Sequence, residues 1–157
     1  MSNTALAPAV VNSFMAVVVR CLRTTVGVEA VLAAVGEPSR SVPTIAVALD
    51  IIGDIRGPVT WVFPPEIALE LVRRLMADPD PPADSATDGA TELANILTGQ
   101  ATEVLEAHGF RVELSVPRLN VGALPLGLSV RMATAAGPID LVLSLSSDPA
   151  DVIVPVA

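Results

Sequence analysis

The punctuation of this chain constrains its fold more than any single motif. Gly27 and Gly109 each close a helical pattern and stand 82 residues apart; Gly57-Pro58 and Gly137-Pro138 each precede strand-like sequence and stand 80 apart. The helix before Gly27 is read over residues 5–24, with Val11, Phe14, Met15, Val18, Val19 and Leu22 on one side. Val28 to Val35 and Thr44 to Ile52 follow as strands, the second rich in β-branched side chains. Gly57-Pro58 reads as a turn and Val59 to Phe63 as a third strand. The same order returns after Ser85: a helix to His108-Gly109, then strands over Arg111–Val116, Leu126–Ala135 and Ile139–Leu145. Two copies of helix plus three strands predict an α+β fold with a pseudo-twofold repeat, over about residues 5–77 and 84–147. In that fold the helices pack on a continuous antiparallel sheet, and residues 1–157 make a single domain.

A further helix opens at Pro64-Pro65-Glu66, since proline suits the first turn and an acid suits the positive end of the helix. It runs to about Met76. Asp78-Pro-Asp-Pro-Pro-Ala-Asp84 is then a stiff linker that neither helix nor sheet can absorb. A chain of 157 residues is long enough to bury about two-thirds of its unfolded surface.

Composition narrows the function by exclusion. Apolar residues make up 52% of the chain, spread along it. The most apolar run, Ala5 to Val19, contains Pro8, Asn12 and Ser13 and is closed by Arg20, too short and polar for a membrane span. It also lacks the basic start of a secretion signal, so the expected location is cytoplasmic, with no membrane partner. The net charge of −8, with nine Arg and no Lys, argues against nucleic acid. Cys21, flanked by Val19 and Leu22, reads as a small core residue, and His108 as a helix-end residue. One His and one Cys cannot build the usual zinc ligand set, and no Gly-rich phosphate loop is present.

What remains is a stripe on the helix after the linker. Spacings of four, three and four residues put Asp88, Glu92, Asn95 and Gly99 on one face, opposite Ala86, Ala90, Leu93, Ala94, Leu97, Ala101 and Val104. Glycine inside a helix costs about 1 kcal/mol relative to alanine, so Gly99 suggests that something comes close there. Acid and amide groups on an outward face equally describe a solvated surface. Shifting the Glu92–Asn95 pair back by the repeat lands on Val10 with Ser13 or Ala9 with Asn12, so any site is single.

Asp88-x-x-x-Glu92-x-x-Asn95, with Gly99 and then Pro117 after the next strand, resembles the signature of the CheC/CheX/FliY group. These are phosphatases of the phosphorylated chemotaxis response regulator CheY. The resemblance extends from the first helix, through the strands around Gly57-Pro58 and the Pro65 helix, to Leu114-Ser115-Val116-Pro117 and Gly122. One motif-bearing helix makes CheX the nearer type. Gln100 departs from the pattern, which carries a small polar residue after the glycine. The resemblance implies that Asn95 enters the regulator's active site and orients the attacking water, while Glu92 pairs with the regulator's active-site lysine. Asp88 and Gly99 become partner-binding positions. It further implies no cofactor of the chain's own, Mg2+ supplied by the response regulator, a CheY-like receiver domain as partner, and a homodimer joined at sheet edges. The alternative is a non-catalytic module that binds a receiver domain or a flagellar-switch component.

Overall fold

The computed structural model describes residues 4–5, 7–36, 44–82 and 84–147. Leu6, expected in the first helix, and Ala83, expected in the linker, lie outside the described residues, as do residues 37–43 of the first repeat.

Helix α1, Pro8–Cys21, starts on a proline at its first position and buries Val10, Phe14, Met15, Val18 and Cys21. It continues through one wider turn of π geometry, Leu22–Val26, and ends at Gly27. The continuous helical run Pro8–Val26 has 19 residues and mean hydropathy 1.4, long and apolar enough by length and composition to cross a membrane. The apolar stretch thus extends past Val19, farther than the sequence pattern indicates. In this fold Val10, Phe14, Val18 and Leu22 are each at most 2% exposed and belong to the core.

Among the described residues nine strands form one sheet. They are β1 (Thr4–Ala5), β2 (Ala30–Gly36), β3 (Ile45–Gly53), β4 (Ile55–Phe63), β5 (Val112–Leu114), β6 (Arg118–Leu119), β7 (Leu128–Thr134), β8 (Gly137–Leu143) and β9 (Ser146–Ser147). Every pairing is antiparallel, and the main order is β5-β3-β4-β8-β7-β2. Exchanging β2, β3 and β4 with β5, β7 and β8 leaves that order unchanged. Of the expected strand Arg111–Val116 only Val112–Leu114 forms, as β5 paired with Ile51–Gly53; β6 lies beyond those bounds and pairs with Val47 and Ala48 farther along β3. Pro117 falls between them, where its missing N–H interrupts the ladder.

Gly57-Pro58 is not a turn. The hairpin between β3 and β4 turns at Asp54, and the Gly-Pro pair lies inside β4. There β4 changes partner, pairing through Ile55 and Arg56 with β9 and through Val59 to Val62 with β8. Gly57 has φ 131, and a Cβ on it would stand 2.1 Å from the Ser144 carbonyl oxygen. The glycine is there for close backbone approach. Pro58 sits at the break between the two ladders, and its carbonyl accepts the Ser144 N–H at 3.1 Å.

Helix α2, Pro65–Leu75, and helix α3, Ser85–Ala107, pack with α1 over one face of the sheet. On α2, the guanidiniums of Arg73 and Arg74 hold the pKa of the half-buried Glu70 carboxyl down to about 2 through hydrogen bonds. Trp61, fully buried, stacks on Phe63 with ring centres 6.3 Å apart.

Candidate active site

Helix α3 is built from an apolar side that seats it and an outward side whose Asp88, Glu92 and Asn95 take no partner among the described residues. Ala86, Ala90, Leu93, Ala94, Leu97, Thr98, Ala101, Thr102 and Leu105 are buried. Val104, expected in the core, is only half-buried, and Leu105 takes its place, because the helix presents the next residue at that turn. Asp88, Glu92 and Asn95 are exposed on the opposite side, and Gly99 is half-buried at its end. The structure therefore brings all four predicted residues onto one stripe, about 16 Å long at the usual rise per residue.

Among the described residues, the side chains of Asp88, Glu92 and Asn95 make no hydrogen bond or ion pair. Other carboxylates behave differently. Asp50 takes Arg118 at 2.7 and 3.2 Å, Asp140 takes Arg131 at 2.8 and 3.0 Å, and Asp54 accepts the Arg111 N–H at 2.7 Å. Asp140 thereby raises the Arg131 pKa, chiefly by hydrogen bonding. Helix α3 carries Asp88, Glu92, Glu103 and Glu106 with no Arg or Lys of its own. Asp88 lies in the first turn, where the exposed N–H groups favour an acid. The charge farther along has no counterpart among the described residues, so the stripe carries negative charge and an amide without a partner there.

Two glycines on α3 separate packing from access. A Cβ on Gly89 would stand 1.9 Å from Val72 Cγ2, so Gly89 is demanded by the contact of α3 with α2. A Cβ on Gly99 would meet nothing within 4 Å. No contact among the described residues requires glycine at that position. The motif segment after α3 is clipped to β3: Ser115 Oγ accepts the Asp50 N–H at 2.8 Å, and the Ser115 N–H donates to the Asp50 carbonyl at 2.9 Å.

Sequence spacing missed the supports beneath the stripe. Trp61 Nε1 donates to Thr98 Oγ1 at 2.8 Å, and Thr98 Oγ1 donates to the Ala94 carbonyl at 2.7 Å. The available signal was a lone tryptophan and a threonine placed on the apolar side of α3. Cys21 is buried beside Thr25, and His108 caps the C-terminus of α3. Among the described residues no three His, Cys, Asp or Glu side chains gather as a metal site.

A family model for the chemotaxis phosphatase CheX matches residues 45–126, just over half of the chain and including the whole stripe. No curated protein matches. Among solved structures, CheX from Desulfovibrio desulfuricans superposes with a TM-score of 0.72 at 16% identity, over 89% of this chain and 99% of that one. CheX from Vibrio vulnificus gives 0.72 at 18%, over 89% and 99%. The Borrelia burgdorferi CheX-CheY-BeF3-Mg2+ complex gives 0.63 at 18%, over 87% and 96%. At these identities the structural likeness is one of fold, an α+β arrangement of helices on an antiparallel sheet. The family match carries the assignment: this chain belongs to the CheX family of chemotaxis phosphatases.

Proposed function

We propose that this protein hydrolyses the aspartyl phosphate of a CheY-like receiver domain, with Asn95 as the catalytic residue and Glu92 as the residue that holds the receiver in register. The observation that carries this reading is the exposed, unpartnered Glu92–Asn95 pair on a helix whose other side is locked in the core. A water attacks phosphorus in line, the phosphorus–oxygen bond to the aspartate breaks, and inorganic phosphate leaves with the water's oxygen. The aspartate departs as carboxylate. Mg2+ and a lysine that balance the phosphoryl charge belong to the receiver, which is the substrate.

The part left for a helper is to place the water, and an amide suits it because it both accepts and donates a hydrogen bond. Asn95 fixes the water's direction, and the rigid seat of α3 keeps that geometry from relaxing. Glu92 answers the receiver's lysine, so the acidic stripe recognises a cation beside the phosphoryl group and not the phosphate itself. Asp88 extends the contact toward the helix start. Gly99 leaves room for the receiver's backbone.

Phosphate release from a phosphorylated CheY receiver domain, followed with the native protein and with Asn95→Ala, tests the assignment. Native protein accelerates release and the variant does not. Equal rates would leave only a receiver-binding module. The proposal places the protein in the cytoplasm. It also includes a homodimer formed along β2, which pairs only with β7 among the described residues and exposes Val31, Leu32 and Val35. Light scattering over a concentration series checks that state, and a constant monomer mass rejects it.

A further inference from the structure

We propose that Thr98 and Trp61 are positioning residues for Asn95, gripping the peptide unit from which the catalytic amide projects. The inference rests on the assignment of Asn95 above. Trp61 and Thr98 are both 0% exposed. The indole N–H of Trp61 donates to Thr98 Oγ1 at 2.8 Å, and the Thr98 hydroxyl donates to the Ala94 carbonyl at 2.7 Å. That carbonyl shares its peptide plane with the Asn95 N–H. A chain of two hydrogen bonds thus runs from β4 through the core into the Ala94–Asn95 peptide.

A threonine bonding back to the fourth residue before it tilts that carbonyl and bends the helix slightly. Helix α3 has three threonine back-bonds: Thr91 to the Thr87 carbonyl, Thr98 to Ala94 and Thr102 to Gly99. The hydroxyls of Thr91 and Thr102 take no side-chain donor from the sheet among the described residues. Thr98 does, and it is the one beneath Asn95. Its donor is itself packed, since the Trp61 ring lies nearly parallel to Phe63, 10° apart, in a fully buried site. The tilt of the Ala94–Asn95 peptide is therefore set by the sheet. It governs the direction of the Asn95 Cα–Cβ bond. An apolar residue at position 98 would leave the fully buried Trp61 N–H without an acceptor, so the chain also supports packing, and a change of rate in protein that keeps its fold separates positioning from support.

Steady-state phosphate release from a phosphorylated CheY receiver domain tests this with four variants, each checked for folding by circular dichroism. Thr98→Val keeps the shape and removes the hydroxyl; it lowers kcat about tenfold with KM within about twofold, since small displacements of a positioned group cost rate more than binding. Thr98→Ser, which restores the hydroxyl, regains most of the rate. Trp61→Phe keeps a ring without the N–H and falls with Thr98→Val. It carries the test if Thr98→Val does not fold. Native kcat in Thr98→Val, or a loss in Thr98→Ser as deep as in Thr98→Val, overturns the positioning role while Asn95→Ala remains inactive. An active Asn95→Ala removes the catalytic assignment and the positioning role with it.

Discussion

Helices α1 and α3 lie side by side on the sheet, yet only one of them offers chemistry to solvent. The outward stripe of α1 consists of Ala9, Asn12, Ala16 and Arg20; that of α3 consists of Asp88, Glu92 and Asn95, ending at Gly99. Both helices bury a full apolar face. The spacing of Ala9 and Asn12 even equals that of Glu92 and Asn95. The scaffold therefore does not require Glu92, Asn95 or Gly99 on an outward helix face, whereas the first turn of α3 by itself favours Asp88. The same contrast recurs within α3, where Gly89 answers to Val72 and Gly99 to nothing among the described residues.

Removing the amide breaks the contrast most sharply. Asn95→Ala lowers the phosphatase rate by about 10²-fold or more, and its thermal midpoint stays close to native because an exposed side chain away from caps and contacts moves stability by about 0.5 kcal/mol at most. The two glycines come next. Gly89→Ala overpacks the α2–α3 contact and costs about 1–3 kcal/mol, visible as a lowered thermal midpoint. Gly99→Ala raises the midpoint, by up to about 1 kcal/mol of stability, while weakening receiver binding measured by calorimetry. A Gly99→Ala variant that binds normally would reduce the glycine to an accident of the surface. Glu92→Gln keeps the shape and removes the charge. It raises KM about tenfold, as expected for loss of a charge-assisted contact, with a smaller change in kcat. The smallest effect sharpens the contrast: Ala9→Glu in an Asn95→Ala background places a Glu–Asn pair on α1 and restores no phosphate release. Any recovery there would show that the pair suffices on either helix without the support under α3.

Much of this architecture was legible because it depends on local rules. The helix faces follow a 3.6-residue period, and the ends of α1 and α3 are written in Gly27 and Gly109. The Asp88–Gly99 stripe needed only helical spacing, with the resemblance to assign it chemistry. Gly57-Pro58 misled because the same dipeptide serves a turn and a strand approached closely by another backbone, and only the partner, Ser144, distinguishes them. The shortening of Arg111–Val116 to β5, and the return of the chain to β3 as β6 after Pro117, depended on what β3 offered at each register. Trp61 and Thr98 were invisible for the same reason. They are 37 residues apart in sequence, and neither is unusual until the sheet brings them together.

The interleaved strand order has a consequence for how the molecule loses its structure. The outer strand of the first half, β2, is held by β7, and that of the second half, β5, by β3, so each half supplies the edge of the other. Neither half can open while its counterpart stays closed. The expected outcome is melting as a single cooperative transition, in which damage to the α1 half reaches Asn95 through a shared loss of the folded population.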